Sequence, residues 1–382
     1  MPRKIPLLSA KPKDGPKKNP IDLTFMLLTL LLLCVGLVML FSASYAYAYE
    51  HFGNSLYYIQ RQLIFAALGV IGMFVAAYTD YHIYKKYVVW IYAVSILLLI
   101  IVLFMPPVNG ARRWINLGFT TFQPSEIAKL AVTIAFATWI HNFSKYMKTF
   151  KIGVLPFAIM LAPIVVLLVL EPHLSGTILV VTIGFSMMFA GGTGLKWFAL
   201  AGAAVVGVGV VIIITPGLVE YAMSRVQYWI NPFSDMRGKG YQTIQSLYAI
   251  GSGGFFGLGF GMSRQKHLYI PEPQNDFIFA IVCEELGFIG AAIIIILFVL
   301  LVWRGLVIAV RCRDKFGSML AVGLTAQVGL QTILNIAVVT NSIPNTGISL
   351  PFFSAGGTAL MMLLFQMGII LSVSRNANLE KE

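Results

Sequence analysis

The sequence predicts an all-α polytopic membrane protein with about ten transmembrane helices and both termini in the cytoplasm. Of its 382 residues, 58% are hydrophobic and only 11% are charged, whereas soluble domains carry about a quarter charged residues. A spanning helix needs about 20 apolar residues, so the chain has room for about ten spans and little else. This composition excludes a soluble enzyme, a disordered scaffold and a disulfide-stapled secreted domain.

Ten apolar segments follow one another along the chain. The first is too long for the apolar core of a signal peptide and is followed by nine more, so we expect an uncleaved first span. Residues 1–22 and 374–382 are predicted cytoplasmic tails, and 23–373 a single membrane domain. The predicted spans are 23–45, 62–79, 87–105, 124–142, 153–170, 175–191, 196–215, 277–303, 317–340 and 357–373.

The distribution of basic residues sets the predicted topology. Eighteen lysines and arginines lie in the tails and in the gaps on one side, whereas the short gaps on the other side hold Arg61, Arg112 and Arg113. Loops rich in lysine and arginine stay in the cytoplasm, which places both termini there. The net charge of +12 is therefore a topology signal, and we predict no nucleic-acid partner.

The gap 216–275, between the seventh and eighth spans, is predicted to be one large extracellular loop. Six glycines lie within residues 251–261. They could form a nest of backbone N–H groups for an anion, or simply a tight loop between half-buried helices. Long loops are not governed by the charge rule, so their cations are free to serve a ligand. Cations and amides of this loop would suit a sugar attached to a phosphate; the candidates are Arg225, Lys239, Gln245, Arg264 and Lys266.

Asp276 stands where this loop meets the eighth span. Aspartate is among the best residues for capping a helix N-terminus, so capping and chemistry are both open interpretations. Glu284 and Glu285 lie about 12–14 Å deeper at 1.5 Å per residue, and Glu285 points away from Asp276 on a helix. We therefore expect Asp276 to act alone, and the two glutamates to make buried hydrogen bonds or ion pairs.

Glu126 and Lys129 are spaced for an ion pair on one face of the fourth span. Charged groups within a spanning helix face a cavity or the bundle interior. The pair could lock the helix by packing, or it could form a cavity wall that meets a charged substrate. Besides the loop 216–275, two further outer segments, 106–126 and 341–357, are irregular. The segment 341–357 is rich in proline and glycine and contains Ser354, a further candidate for substrate contact.

Three of these segments, in order, resemble the SEDS family (shape, elongation, division and sporulation), which includes RodA and FtsW. They are GARRWINLGFTTFQPSEIAKL, the stretch from RVQYWINPFSD to PEPQNDFIFAIVCEELGFIG, and IPNTGISLPFFSAGGTAL. The resemblance covers the chain from about residue 20, and the PEPQNDFIFA segment is more similar to the FtsW and sporulation branch than to the RodA branch. Like the span count, the resemblance implies a ten-helix fold with both ends inside.

The resemblance also implies an activity: polymerisation of peptidoglycan glycan strands from lipid II at the outer leaflet, in septal wall synthesis at the plasma membrane. By motif position the catalytic aspartate of the family falls on Asp276, and its Glu and Lys on Glu126 and Lys129. An inverting transfer from an activated pyrophosphate donor needs one general base. Cations or a divalent metal, Mg²⁺ or Mn²⁺, would absorb charge on the leaving pyrophosphate.

The implied partners are a class B penicillin-binding transpeptidase, lipid II with the nascent glycan strand, and other divisome membrane proteins. No nucleotide cofactor is expected, because the ATP-binding signature G-x-x-x-x-G-K-[ST] is absent. The chain departs from the family where S-Y-G-G reads SAGG at 354–357, and where the acid of P-D-L-G is replaced by His173. A lipid II flippase and a non-catalytic division scaffold stay open as alternatives.

Overall fold

The computed structural model describes residues 19–107, 112–118, 120–200, 229–236, 238 and 240–378. Within these ranges the regular secondary structure is almost entirely helical. One short ribbon pairs Ile115–Asn116 (β1) antiparallel with Thr121–Phe122 (β2). The helices are α1 Leu23–Phe52, α2 Tyr57–Tyr78, α3 His82–Lys86, α4 Val88–Leu103, α5 Pro124–Phe143, α6 Phe150–Gly153, α7 Leu155–Leu170, α8 Leu174–Gly191, α9 Tyr241–Gly253, α10 Ile278–Arg311, α11 Lys315–Val339 and α12 Gly357–Ser374.

The predicted membrane fold is confirmed. Seven helical segments of the described residues are long and apolar enough to cross a membrane: α1, α2, α6 with α7, α8, α10, α11 and α12. The shorter apolar helix α4 and the ion-pair-bearing helix α5 coincide with two further predicted spans. The predicted span 196–215 and the tail 1–18 lie largely or wholly outside the described residues, so the count of ten and the position of the termini stay predictions.

Helix α12 lies at the centre of the bundle and packs closely along α2. A Cβ added to Gly368 would lie 2.2 Å from the carbonyl oxygen of Met73, and one added to Gly69 would lie 2.6 Å from a methyl group of Leu364. Small residues allow such close approach between membrane helices, where packing rather than water exclusion drives association. The α2–α12 pair therefore gives the bundle a tightly packed centre against which the site-bearing helices are placed.

The eighth predicted span is interrupted. Gly287 leaves the helical conformation within α10, at φ 68° and ψ −171°. The glycine-rich segment that follows α9 fits into this break: the N–H of Leu258 donates to the carbonyl of Glu284 at 2.9 Å, and the N–H of Phe288 donates to the carbonyl of Gly254 at 2.9 Å. Backbone groups freed by a broken membrane helix need such partners, because lipid supplies none.

This packing changes the interpretation of the loop 216–275. Its described part contains α9 and a return segment, and the glycine-rich stretch between them lies against the first third of α10 rather than wholly outside the bundle. A Cβ on Gly257 would lie 2.1 Å from the carbonyl oxygen of Glu285, so the glycine is needed for close backbone approach. The glycine-rich segment 251–261 therefore favours the tight-loop interpretation. The backbone N–H groups of Leu258 and Gly259 donate hydrogen bonds to carbonyls of α10.

Candidate active site

A cavity of about 300 Å³ lies where the loop before α5, the starts of α5 and α8, the end of the α9–α10 connection and the 341–357 segment meet. Its wall carries a concentration of charged side chains that is unusual for this apolar protein. The charged and ionisable residues lining it are Arg113, Glu126, Lys129, His173, Glu272 and Asp276. This cavity therefore brings acidic, basic and imidazole side chains together around one space among the described residues.

Asp276 lies in this wall, two residues before α10 begins. The amide of Asn335 donates to its backbone carbonyl at 2.8 Å, which fixes the main chain, and the carboxylate faces the backbone of Gly347. The residue at the N-cap position is Phe277, without a side-chain capping bond. Among the described residues the Asp276 carboxylate accepts no hydrogen bond, so the geometry gives no support to a capping role and leaves this carboxylate directed at the cavity.

The surroundings raise the pKa of Asp276 to about 6. Burial is the largest cause, the carboxylate of Glu272 adds to it, and the guanidinium of Arg113 opposes both. A general base works best when its pKa lies near the operating pH. Asp276 is therefore ionised in most molecules at pH 7 and is a stronger base than an ordinary aspartate.

Arg113 is a site residue that the sequence analysis assigned only to topology. Its guanidinium lines the cavity, donates to the carbonyl of Pro172 and interacts electrostatically with Asp276 and Glu171. Burial lowers its pKa, and the two carboxyl groups oppose that effect. The sequence contained one indication of this role, the position of Arg113 in the GARRWINLG segment just before the predicted fourth span. It did not show which of Arg112 and Arg113 would point into the cavity.

The expected ion pair of α5 is present. The ammonium of Lys129 lies 2.8 Å from a carboxylate oxygen of Glu126, with the two side chains 4% and 12% exposed. Both residues line the cavity. The pair therefore packs within the bundle and also forms part of the cavity wall.

Removing one partner of the Glu126–Lys129 pair should destabilise the protein strongly. Lys129→Ala strands a buried carboxylate, and breaking a buried pair typically costs about 3–5 kcal/mol. The thermal midpoint in detergent should fall, and the charge-swapped pair Glu126→Lys with Lys129→Glu should recover part of the loss. The exposed Lys148 gives the matched control, since Lys148→Ala should melt like the parent. Parental melting of Lys129→Ala would contradict the prediction.

Lys266 is placed away from this cavity. Its ammonium lies 2.8 Å from Glu285, and both side chains are fully buried. The hydroxyl of Ser42 on α1 bonds to the same carboxylate at 2.7 Å. The neighbouring Glu284 accepts from the hydroxyl of Ser263 and from the backbone N–H of Arg264. The expected buried interactions of the two glutamates are therefore present, and Lys266 is one of their partners.

The other predicted substrate contacts are distributed differently. Arg264 is exposed and Gln245 is half-buried on α9, and neither lines the cavity described above. Ser354 holds two pieces of the wall together: its hydroxyl donates to the carbonyl of Asn275 at 2.6 Å and accepts from the N–H of Leu350 at 2.7 Å. Two predicted contacts, Arg225 and Lys239, lie outside the described residues.

Within the described ranges, no group of three or more His, Cys, Asp or Glu side chains could hold a metal ion. The cavity does offer the two carboxylates of Glu272 and Asp276. Mg²⁺ is commonly held by one or two carboxylates together with substrate phosphates and water. The donor set therefore fits a cation that arrives with an anionic substrate, rather than an all-protein metal centre.

The fold and the cavity define a polytopic helical membrane protein with a site of ionisable side chains next to the N-terminus of the spanning helix α10. Residues 22–379 match the family model described as "Cell cycle protein", which covers FtsW, RodA and SpoVE. The chain therefore belongs to this family, as the resemblance indicated.

Among its relatives, stage V sporulation protein E of Bacillus subtilis (strain 168) is 41% identical over 94% of this chain and 98% of its own. A probable peptidoglycan glycosyltransferase FtsW of Geobacter sp. (strain M18) is 36% identical over 92% of this chain and 96% of its own. Both belong to the branch that the PEPQNDFIFA wording indicated.

Solved structures share the fold. A chain from a study titled "Structural coordination of polymerization and crosslinking by a peptidoglycan synthase complex" is 28% identical, with a TM-score of 0.76 over 94% of this chain and 99% of that one. The rod shape determining protein RodA of Thermus thermophilus is 26% identical, with a TM-score of 0.68 over 94% of this chain and 98% of its own.

Proposed function

We propose that this protein is a peptidoglycan glycosyltransferase that polymerises glycan strands from lipid II at the outer face of the cytoplasmic membrane. The observation that carries the proposal is the Asp276 carboxylate, directed at a cavity whose wall also holds Arg113 and Lys129. The names of the FtsW relatives support the reaction class, and the charge pattern supports an outer position for the cavity.

The chemistry assigns one role to each kind of group. The 4-hydroxyl oxygen of the acceptor sugar attacks the anomeric carbon of the donor, and the bond from that carbon to the pyrophosphate oxygen breaks. Asp276 accepts the hydroxyl proton, and the electron pair of the broken bond leaves with the polyprenyl pyrophosphate. Attack from the face opposite the leaving group inverts the α-linked donor to a β-linkage, for which one general base suffices.

Charge develops on the departing pyrophosphate, and fixed cations in a water-poor cavity stabilise such charge effectively. Arg113 is the cation best placed for this role, because its guanidinium lies in the wall near Asp276 without a contact ion pair to it in the described structure. Lys129 is neutralised by Glu126 and would contribute less. Arg225, Lys239 and Arg264 stay candidates for holding the substrate outside the cavity.

A divalent cation, Mg²⁺ or Mn²⁺, is proposed as a companion of the substrate. Glu272 and Asp276 would hold it in the cavity, and it would supply additional charge stabilisation for the pyrophosphate. No nucleotide is proposed, because the donor already carries its activation.

The proposed partners are a class B penicillin-binding transpeptidase and other membrane proteins of the division machinery, which would place the protein at the septum. The peptidoglycan synthase complex among the solved structures supports a transpeptidase partner, since that complex coordinates polymerization with crosslinking. A non-catalytic scaffold that only recruits the transpeptidase is the weaker alternative, because a scaffold gives no reason for a carboxylate directed at a cavity.

One observation favours the flippase alternative. Buried amides follow α11 inward from the cavity: Asn335, Gln331 and Gln327, the last bonded to Gln366 of α12 at 2.9 Å. A polar column of this kind would suit a path for a polar headgroup.

Purified protein supplied with labelled lipid II, with and without its transpeptidase partner, tests the proposal. Polymeric glycan is expected as the product. Transfer of lipid II across vesicles without polymer would favour the flippase, and polymer formed only by an added polymerase would favour the scaffold.

A further inference from the structure

Glu171, at the end of α7, is a buried carboxyl group that the mechanism above does not use. Its side chain is fully buried, and neither carboxylate oxygen has a hydrogen-bond partner among the described residues. An ionised carboxylate in such a place loses its hydration without replacement, which is costly, whereas the protonated form is tolerated. The burial itself therefore favours the neutral acid.

Arg113 links Glu171 to the charged and titratable groups of the cavity, and these groups come from four segments. From the loop before α5, Arg113 interacts with both Glu171 and Asp276, but its hydrogen bond goes to the carbonyl of Pro172. From α5, Lys129 is engaged by Glu126. His173, beside Gln123, stays neutral because burial and the two cations Arg113 and Lys129 lower its pKa to about 3.

The fourth segment is the end of the α9–α10 connection, where Glu272 and Asp276 lie. Arg113 is thus the cation that Glu171 and Asp276 share. If both carboxyl groups were ionised, they would compete for one guanidinium. If Glu171 is neutral, the charge of Arg113 is left to the cavity.

We propose that Glu171 is a positioning residue that holds a proton at neutral pH and thereby leaves the Arg113 guanidinium to Asp276 and the substrate. The consequence for catalysis rests on the proposed glycosyltransferase function; the protonation of Glu171 does not. Burial raises the pKa of Glu171 to about 8, with Arg113 opposing the rise. Because the folded pKa lies above the ordinary value, the proton is present at pH 7 and lost as the pH rises through about 8.

Infrared titration of the intact protein tests the protonation directly. A carbonyl band of an undissociated carboxylic acid is expected at pH 7, and it should disappear as the pH rises through about 8. The band should be missing from Glu171→Gln and retained in Glu50→Gln, which alters an exposed carboxylate at the end of α1. Absence of a band at pH 7, or its persistence in Glu171→Gln, would overturn the proposal. The measurement needs no polymerase activity, so it separates a failure of this proposal from a failure of the proposed function.

The pH dependence of polymerisation tests the consequence. Ionisation of Glu171 should lower the rate of the parent by about tenfold per pH unit above its pKa, whereas a glutamine cannot ionise. The ratio of the rate at pH 9 to that at pH 7 should be about tenfold higher in Glu171→Gln than in the parent and in Glu50→Gln. A merely structural role would lower both rates and leave the parental ratio, which would overturn the proposal.

Discussion

Asp276→Asn should abolish polymerisation while leaving the fold intact. Asparagine has nearly the shape of aspartate but cannot accept the hydroxyl proton as a carboxylate does. Loss of a general base lowers rates by about 10²–10⁴, and more if Asp276 also holds a cation. Single-turnover polymerisation of labelled lipid II measures the loss, and the exposed Glu50, changed to Gln, gives a control in which a carboxylate is removed from outside the cavity.

The stability of Asp276→Asn separates chemistry from structure. The folded environment raises the pKa of Asp276 to about 6, so folding disfavours its ionised form and a neutral side chain should be tolerated at pH 7. The variant should therefore melt at least as high as the parent. A lower melting temperature together with reduced activity would instead point to a structural carboxylate, and full activity in a folded variant would remove Asp276 from the mechanism.

The pH profile of the parent gives an independent check on Asp276. A base must be ionised to act, so the rate should increase as the pH rises through about 6 and stay level until Glu171 begins to ionise near pH 8. Neighbouring Glu272 contributes to the raised pKa of Asp276. Glu272→Gln should therefore move the acid limb to lower pH, whatever its effect on the maximal rate.

The membrane fold was accessible from the sequence because span length and loop charge are local properties. Apolar runs of about 20 residues predict helices without knowledge of their neighbours, and the described helices match nine of the ten predicted spans. The i, i+3 spacing of Glu126 and Lys129 likewise predicts their pairing, since both lie on one helix. Asp276 could be identified because it marks a junction between a polar loop and a span.

The electrostatic partners of Asp276 were not accessible in the same way. Arg113 and Glu272 belong to separate gaps between helices, and tertiary packing brings both near Asp276. Packing likewise places Arg113 near Glu171. In sequence, Arg113 is one of a few outer arginines, and Glu171 is a polar residue at a helix end. Their roles depend on burial, which a single sequence does not reveal for a loop residue.

The glycine-rich segment shows why composition alone left two interpretations open. Glycines permit both an anion nest and a close backbone contact. What decides between them is the break at Gly287, whose neighbouring backbone groups require partners within the bundle. The segment that follows this contact places Lys266 inside the bundle. Its position in the loop predicted a substrate contact, whereas in the structure it pairs with Glu285.

Lys266→Met should be the most destabilising of these changes. It removes one member of an ion pair whose two side chains are fully buried, and an unpaired buried charge costs about 3–5 kcal/mol. Glu285 would keep only the Ser42 hydroxyl and a longer contact from the N–H of Ser263. Thermal unfolding in detergent measures the loss, with Arg264→Met as the matched control, because Arg264 is an exposed cation two residues away.

A second substitution distinguishes the structural role of Lys266 from a substrate-binding one. In Lys266→Met with Glu285→Met both charges are gone, and replacing a buried pair by apolar side chains of similar volume is often neutral or stabilising. The double variant should therefore regain most of the lost stability and, with it, polymerisation. If Lys266 instead held the pyrophosphate, Lys266→Met would melt like the parent yet polymerise slowly, and the double variant would stay equally slow. Recovery of activity without the lysine can occur only if its charge serves Glu285 and not the substrate.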